Sequence, residues 1–173
     1  MPLSMYQASV PTFVQILTAL SGVLDKAQAC ATAKKFDPAI LLSARLAPSM
    51  FPMSRQVQIA CDFAKGATAR LAAAEVPSWP DHEKTFAELQ ERIRKTTDFV
   101  QSFKAAQIDG SEEREVKVSV AGQPVLFKGQ PYLLQFVLPN FYFHVTTAYA
   151  ILRHNGVELG KRDFVGAVPG MGG

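Results

Sequence analysis

Three histidines and two cysteines are the only imidazoles and thiols in this chain of 173 residues, so acid–base, metal or thiol chemistry must start from few side chains. His144 is the best placed of them. It lies in residues 130–155, QPYLLQFVLPNFYFHVTTAYAILRHN, a long aromatic stretch whose only formal charge is Arg153. Asn140 precedes it by one helical turn, so the two side chains share a face. With Gln58 and Asp62 from an earlier helix, they would form a small polar pocket. There His144 would serve as a general base, or as one ligand of a weak metal site. The competing reading is a buried histidine satisfied by Asn140 or Gln58 that only fixes packing. The residues leave both readings open.

The other candidates carry less. His154 stands ten residues after His144, roughly 15 Å along a helix axis and about 80° around it, so the two cannot share one metal. At the helix end it interacts favourably with the last carbonyls. His82 falls at the exposed start of a charged helix. Cys61 lies on an apolar helical stripe, without the access or lowered pKa a nucleophile needs. Cys30 and Cys61 form neither a CxxC pair nor a disulfide framework, which fits reduced thiols and a cytoplasmic setting. No glycine-rich phosphate loop and no Ser-His-Asp order is present.

The elements that must position His144 follow from periodicity. Val10, Phe13, Leu17, Leu20, Leu24 and Ala27 step by three or four residues and predict a helix near 3–32. Asp37-Pro38 starts a short helix, Asp37 capping it. Ser54 is expected to cap a second long helix near 54–74. Its buried stripe is Val57, Cys61, Ala64, Thr68 and Leu71, and Arg55, Gln58, Asp62 and Lys65 make an adjacent polar one. Ser78 and Asp81 resemble a capping box opening a third helix near 80–103 with Phe86, Leu89, Ile93, Val100 and Phe103 as its apolar face, and its charged face from Glu83 to Asp98 is expected in solvent. Val116, Val118 and Val120 alternate with polar residues, and Val125 and Phe127 return the chain, predicting a hairpin near 115–128. The fourth helix, near 130–154, is apolar on nearly every side. It is expected to be covered by the other three, with Pro139 kinking it and freeing the carbonyl of Gln135.

Length and composition set the frame. The chain should bury roughly 70% of its unfolded surface in one domain, residues 1–165, followed by a flexible, glycine-rich tail at 166–173. Hydrophobic content of 48% with 19% charged residues is ordinary for a soluble protein. The net charge of +3, without a basic run, argues against nucleic acid. The apolar fourth helix is broken by Pro139, Asn140 and His144, and the start of the chain lacks the pattern of a signal peptide, so no membrane partner is expected. The aromatic surplus at 141–143 is expected to line a ligand pocket or a homodimer interface.

Three segments, MYQASVP, LAPSMFPMSRQVQIACDFAKGATARL and LPNFYFHVTTAYAILRHNGVELGKRDF, resemble a bacterial family of unknown function grouped with the DinB/YfiT-like four-helix bundles. The resemblance implies an all-α fold, a four-helix bundle with an up-down-down-up type connection, often assembled as a homodimer; the short β-hairpin read from the alternation would lie between its third and fourth helices. Many members of the wider superfamily hold a divalent metal (nickel, zinc or iron) with three histidines, one on the second helix and two as HxxxH on the fourth. Some use low-molecular-weight thiols in transferase or isomerase reactions. Carried over by position, His144 matches the second histidine of HxxxH, Asn140 stands at the first, and Gln56 or Gln58 stands at the second-helix ligand. One histidine of three remains. The favoured expectation is therefore a bundle that binds a small ligand or partner at a depleted metal-site pocket with no metal. The alternative is a metal-dependent transferase, isomerase or hydrolase using His144.

Overall fold

The computed structural model describes residues 3–170. Its first helix, α1 (Met5–Lys34), starts where the Ser4 hydroxyl accepts from the Gln7 amide and the Gln7 side chain accepts from the Ser4 N–H. It passes through Pro11 and stops where Lys35 turns left-handed. Helix α2 (Ala39–Ser43) is short, and Asp37 Oδ1 accepts from the Ala39 N–H at 2.9 Å, the capping role expected of it. Helix α3 (Met53–Leu71) starts one residue before Ser54, which is not its cap. Instead, buried Met53 donates its N–H to Ala44, and Gln56 reaches back to the Phe51 carbonyl.

The third long helix is shorter than expected. Helix α4 (Phe86–Gln101) is capped by Thr85 with Glu88, not by Ser78 with Asp81. Asp81 is instead drawn into ion pairs with Arg92 and Arg55, so residues 75–84 run irregularly before α4. The apolar face read from the sequence, Phe86, Leu89, Ile93, Val100 and Phe103, is buried as expected. The charged face is only partly in solvent, because the Arg92 side chain is just 2% exposed.

Helix α5 (Ala105–Ile108) leads to the antiparallel strands β1 (Glu115–Val120) and β2 (Gln123–Lys128), with Val118 opposite Val125. Ala121 and Gly122 both have positive φ, the geometry of a tight two-residue hairpin turn. Strand β2 thus already begins at Gln123. The hairpin leans on the start of the fourth long helix, with Phe127 stacked on Phe136 at 5.1 Å.

The hydrogen-bonding pattern of that fourth helix changes along its length. A short α6 (Gly129–Pro131) passes into a π-helical segment (Tyr132–Val137) and then α7 (Leu138–His154), before a last short α8 (Lys161–Val165). Pro139 cannot donate to Gln135, and upstream of it the ladder widens, Leu138 donating to Leu133. Around the bundle, α1 lies beside α4, α4 beside α3, α3 beside α7, and α7 beside α1. Phe13 of α1 meets Phe141 of α7 edge-on at 5.0 Å in the core. The fourth helix is not covered on all sides: Leu134, Tyr142 and Phe143 remain exposed on its outer face. Of the expected 166–173 tail, residues 171–173 lie outside the described residues, and Gly166 packs so closely on α1 that an added Cβ would sit 2.9 Å from that of Ala19.

Candidate functional site

Helix α3 has a polar residue set on each of two sides, and the four expected pocket residues divide between them. His144 lies on the α7 side. Its partner is Gln56, whose Oε1 is 2.6 Å from His144 Nδ1. Gln56 is itself fixed, because its Nε2 donates to the Phe51 carbonyl at 3.1 Å. A carbonyl can only accept, so the amide orientation is set and Oε1 must face the ring. His144 Nδ1–H therefore donates, and Nε2 carries the free lone pair. The ring stacks on Phe63 at 5.9 Å and meets Phe143 edge-on at 5.1 Å. Burial, helped by the charge of Arg55, takes its pKa down to about 4, so the ring is neutral near pH 7.

Asn140 is on the same helix face but is not a partner of His144. Its Nδ2 donates to the Phe136 carbonyl at 2.7 Å, closing the end of the π-helical segment. Asn140 thus answers the carbonyl of Phe136 and not that of Gln135, the one the sequence placed beside it. Gln58 and Asp62 face α4. Gln58 accepts from Arg55 and donates to Glu83 Oε2 at 2.9 Å. Asp62 pairs with Lys65 at 2.9 Å and Arg92 at 3.0 Å. A pocket formed by Asn140, His144, Gln58 and Asp62 together is therefore not built.

The α4 side is a structural ion network. Arg92 pairs with Asp62, with Asp81 at 2.8 Å and with Glu83 at 2.9 Å. Lys65 and Lys95 each lie 4.5 Å from the centre of the Trp79 ring. Cys61 sits beneath this network, fully buried, and burial pushes its thiol up to about 12, which removes it as a nucleophile. Sequence reading missed Arg92, although the signal was present: Leu89, Arg92, Thr96 and Val100 follow one helical stripe that is otherwise apolar or neutral. His82 and His154 are exposed and stand apart from His144, as expected.

A family model described as a domain of unknown function, DUF1993, matches residues 5–165. The chain belongs to the DUF1993 family. No curated protein matches it. Among solved structures, it is similar to a DinB family member protein from Shewanella denitrificans. The two are 40% identical over 97% of this chain and 95% of that one, with a TM-score of 0.87. The DinB-like four-helix bundle and the unknown-function family read from the sequence are both borne out.

In this DUF1993 chain the residues at the superfamily's metal positions do not fit a divalent cation. His144 offers a single imidazole lone pair, on Nε2, while Asn140 spends its amide on a backbone carbonyl and Gln56 and Gln58 offer no imidazole. Among the described residues, no group of three His, Cys, Asp or Glu side chains is disposed to hold a metal.

Proposed function

We propose that the protein is a cytoplasmic homodimer that binds a small ligand or a partner and does no metal-dependent chemistry. The observation that carries this is the chain of hydrogen bonds from the Phe51 carbonyl through Gln56 to His144. It holds His144 as a neutral ring whose Nε2 can accept a hydrogen bond. A base with a pKa of about 4 has little driving force to take a proton at neutral pH. A fixed neutral acceptor is instead suited to orienting a hydrogen-bond donor.

The dimer reading is supported by the outer face of α7. Tyr142 and Phe143, 36% and 54% exposed, stand beside Leu46 at a shallow apolar depression that Thr146, Thr147 and Ala150 continue. Phe143 and Ala150 are two turns apart. In an antiparallel pairing of two copies of α7, Phe143 of each copy would lie over Ala150 of the other, the reciprocal match a two-fold interface requires.

Metal analysis of protein purified without an affinity tag, together with light scattering, tests both parts. The expected result is no stoichiometric metal and a mass of twice the chain's 18.9 kDa, reduced to the monomer by Phe143→Glu. Stoichiometric nickel, zinc or iron would overturn the metal-free reading in favour of a metal-dependent enzyme. A monomer across micromolar to millimolar concentration would overturn the dimer.

A further inference from the structure

Two arginines meet the C-terminal end of α3 and behave oppositely. The usual role of a cation in a last helical turn is to hold the free carbonyls there. Arg114, arriving from the loop before β1, already does this by donating to the Leu71 carbonyl. Arg70 turns away from that end and lies back over Gly66, so close that a Cβ at position 66 would sit 2.5 Å from Arg70 Nη1. Its one side-chain partner among the described residues is the Tyr132 hydroxyl, accepting from Nη1 at 3.1 Å, and it makes no ion pair there.

Both groups look into a cleft of about 280 Å³ between α3, β1 and the π-helical segment. Its chemistry is one-sided at this end. The guanidinium has only donors, and the Tyr132 oxygen, having accepted from Arg70, still has its own O–H to donate. Phe63 and Phe136, 5.8 Å apart and edge to face, wall the middle with Ile59 and Val118, and Ser119 stands at the rim. Asp62 at the far end does not compete for Arg70. Its charge is met by Lys65 and Arg92, and eight residues of helix separate the two by about 12 Å. Tyr132 opens a π-helical segment, a distortion often found where a helix serves a site.

The geometry points to a binding site for a small carboxylate with a flat apolar body, the carboxylate on Arg70 and Tyr132 and the body lying against the cleft wall that Phe63 and Phe136 form together. A single guanidinium matches one negative charge, which favours a carboxylate over a phosphate dianion. The site rests on the reading of the bundle as a binding protein but is separate from the His144 acceptor, whose ring lies on Phe63.

Titration of the full chain with 3-phenylpropionate, followed by amide and aromatic NMR shifts, tests it. Saturable shifts at Arg70, Ser119 and Tyr132 are expected, with 3-phenylpropanol and inorganic phosphate each at least about tenfold weaker. Arg70→Met should weaken the acid by about tenfold or more, and Ser119→Trp, at an exposed rim position, should block the cleft without touching the core. No saturable shift with the acid, equal binding of the alcohol or of phosphate, or undiminished binding by Arg70→Met or Ser119→Trp would overturn the proposal. Binding that survives Arg70→Met and is lost in His144→Ala would also overturn it, while leaving the binding function at His144 standing. Should Arg70→Met fail to fold, Ser119→Trp decides alone.

Discussion

The two polar seams of α3 are built from similar residues and reach opposite states. Toward α4, every strong charge finds a counter-charge: Arg92 holds Asp62, Asp81 and Glu83, and Asp81 also holds Arg55. Toward α7 and the hairpin, polar groups are positioned but incompletely answered. His144 keeps a free Nε2, and Arg70 keeps most of its donors. The first seam pairs its charges and leaves Arg92 Nε as its one buried donor without a partner among the described residues; the second keeps positioned groups unanswered. Ionisable density is thus a poor guide to function here, because the most charged region is the one with least left to offer a ligand.

Breaking the closed seam should have the largest effect. Arg92→Met leaves three carboxylates around a buried position without their shared cation, and removing one partner of a buried pair typically costs about 3–5 kcal/mol. Urea denaturation should show that loss, together with release of residues 75–84. Arg70→Met, on the open seam, should cost about 1 kcal/mol or less, since it gives up one hydrogen bond at a partly exposed site. Equal losses for the two variants would erase the distinction between the seams.

The comparison also sharpens with pH. An unfolded histidine titrates near 6.5, whereas His144 in the fold titrates at about 4 because burial, then Arg55, disfavours its charged form. As pH falls through this window, the unfolded chain takes up a proton that the folded chain refuses, so stability is lost between 6.5 and 4 and the loss levels off below. The full shift would correspond to about 3 kcal/mol, and solvent around a half-buried ring reduces this to about 1–2 kcal/mol. The measurement is the difference in unfolding free energy between wild type and His144→Gln, in which the carboxylates cancel. An NMR titration placing His144 near 6.5 would contradict it.

What the sequence made legible follows from how local each signal is. The apolar stripes of α1, α3 and α4 and the alternation of β1 are encoded within a few residues, and each was found with its buried side correct. The position of His144 was legible for the same reason, as was the disturbance at Pro139. The pocket grouping was not. Gln56 and Gln58 are two residues apart, so they point about 200° apart around the helix, and only the packing of α4 and α7 decides which meets His144. The start of α4 failed for a related reason. Ser78 and Asp81 have capping-box spacing, but Asp81 is claimed by Arg92 and Arg55 from two other parts of the chain. Long-range charge overrode a local motif.

The smallest expected effect isolates the open seam from stability altogether. Gly66 lies inside α3, where glycine costs roughly 0.5–1 kcal/mol relative to alanine through backbone entropy. Gly66→Ala should recover part of that, because the atom its methyl group meets is the end of a flexible arginine side chain and not backbone. Arg70 Nη1 must move from 2.5 Å to an ordinary contact distance, and the bond to Tyr132 at 3.1 Å lies in its way. The variant should therefore melt at or slightly above the wild-type temperature while binding 3-phenylpropionate more weakly. Tyr132 should respond too: burial raises its pKa and Arg70 opposes that rise, so loosening Arg70 should push the phenol further up. A spectrophotometric titration of Tyr132, read as the difference from Tyr132→Phe, reports the displacement directly. If Gly66→Ala is destabilised like a core substitution, or leaves both the phenol and the probe affinity unchanged, Arg70 is not held over Gly66 in solution. The open seam would then lose its positioned cation.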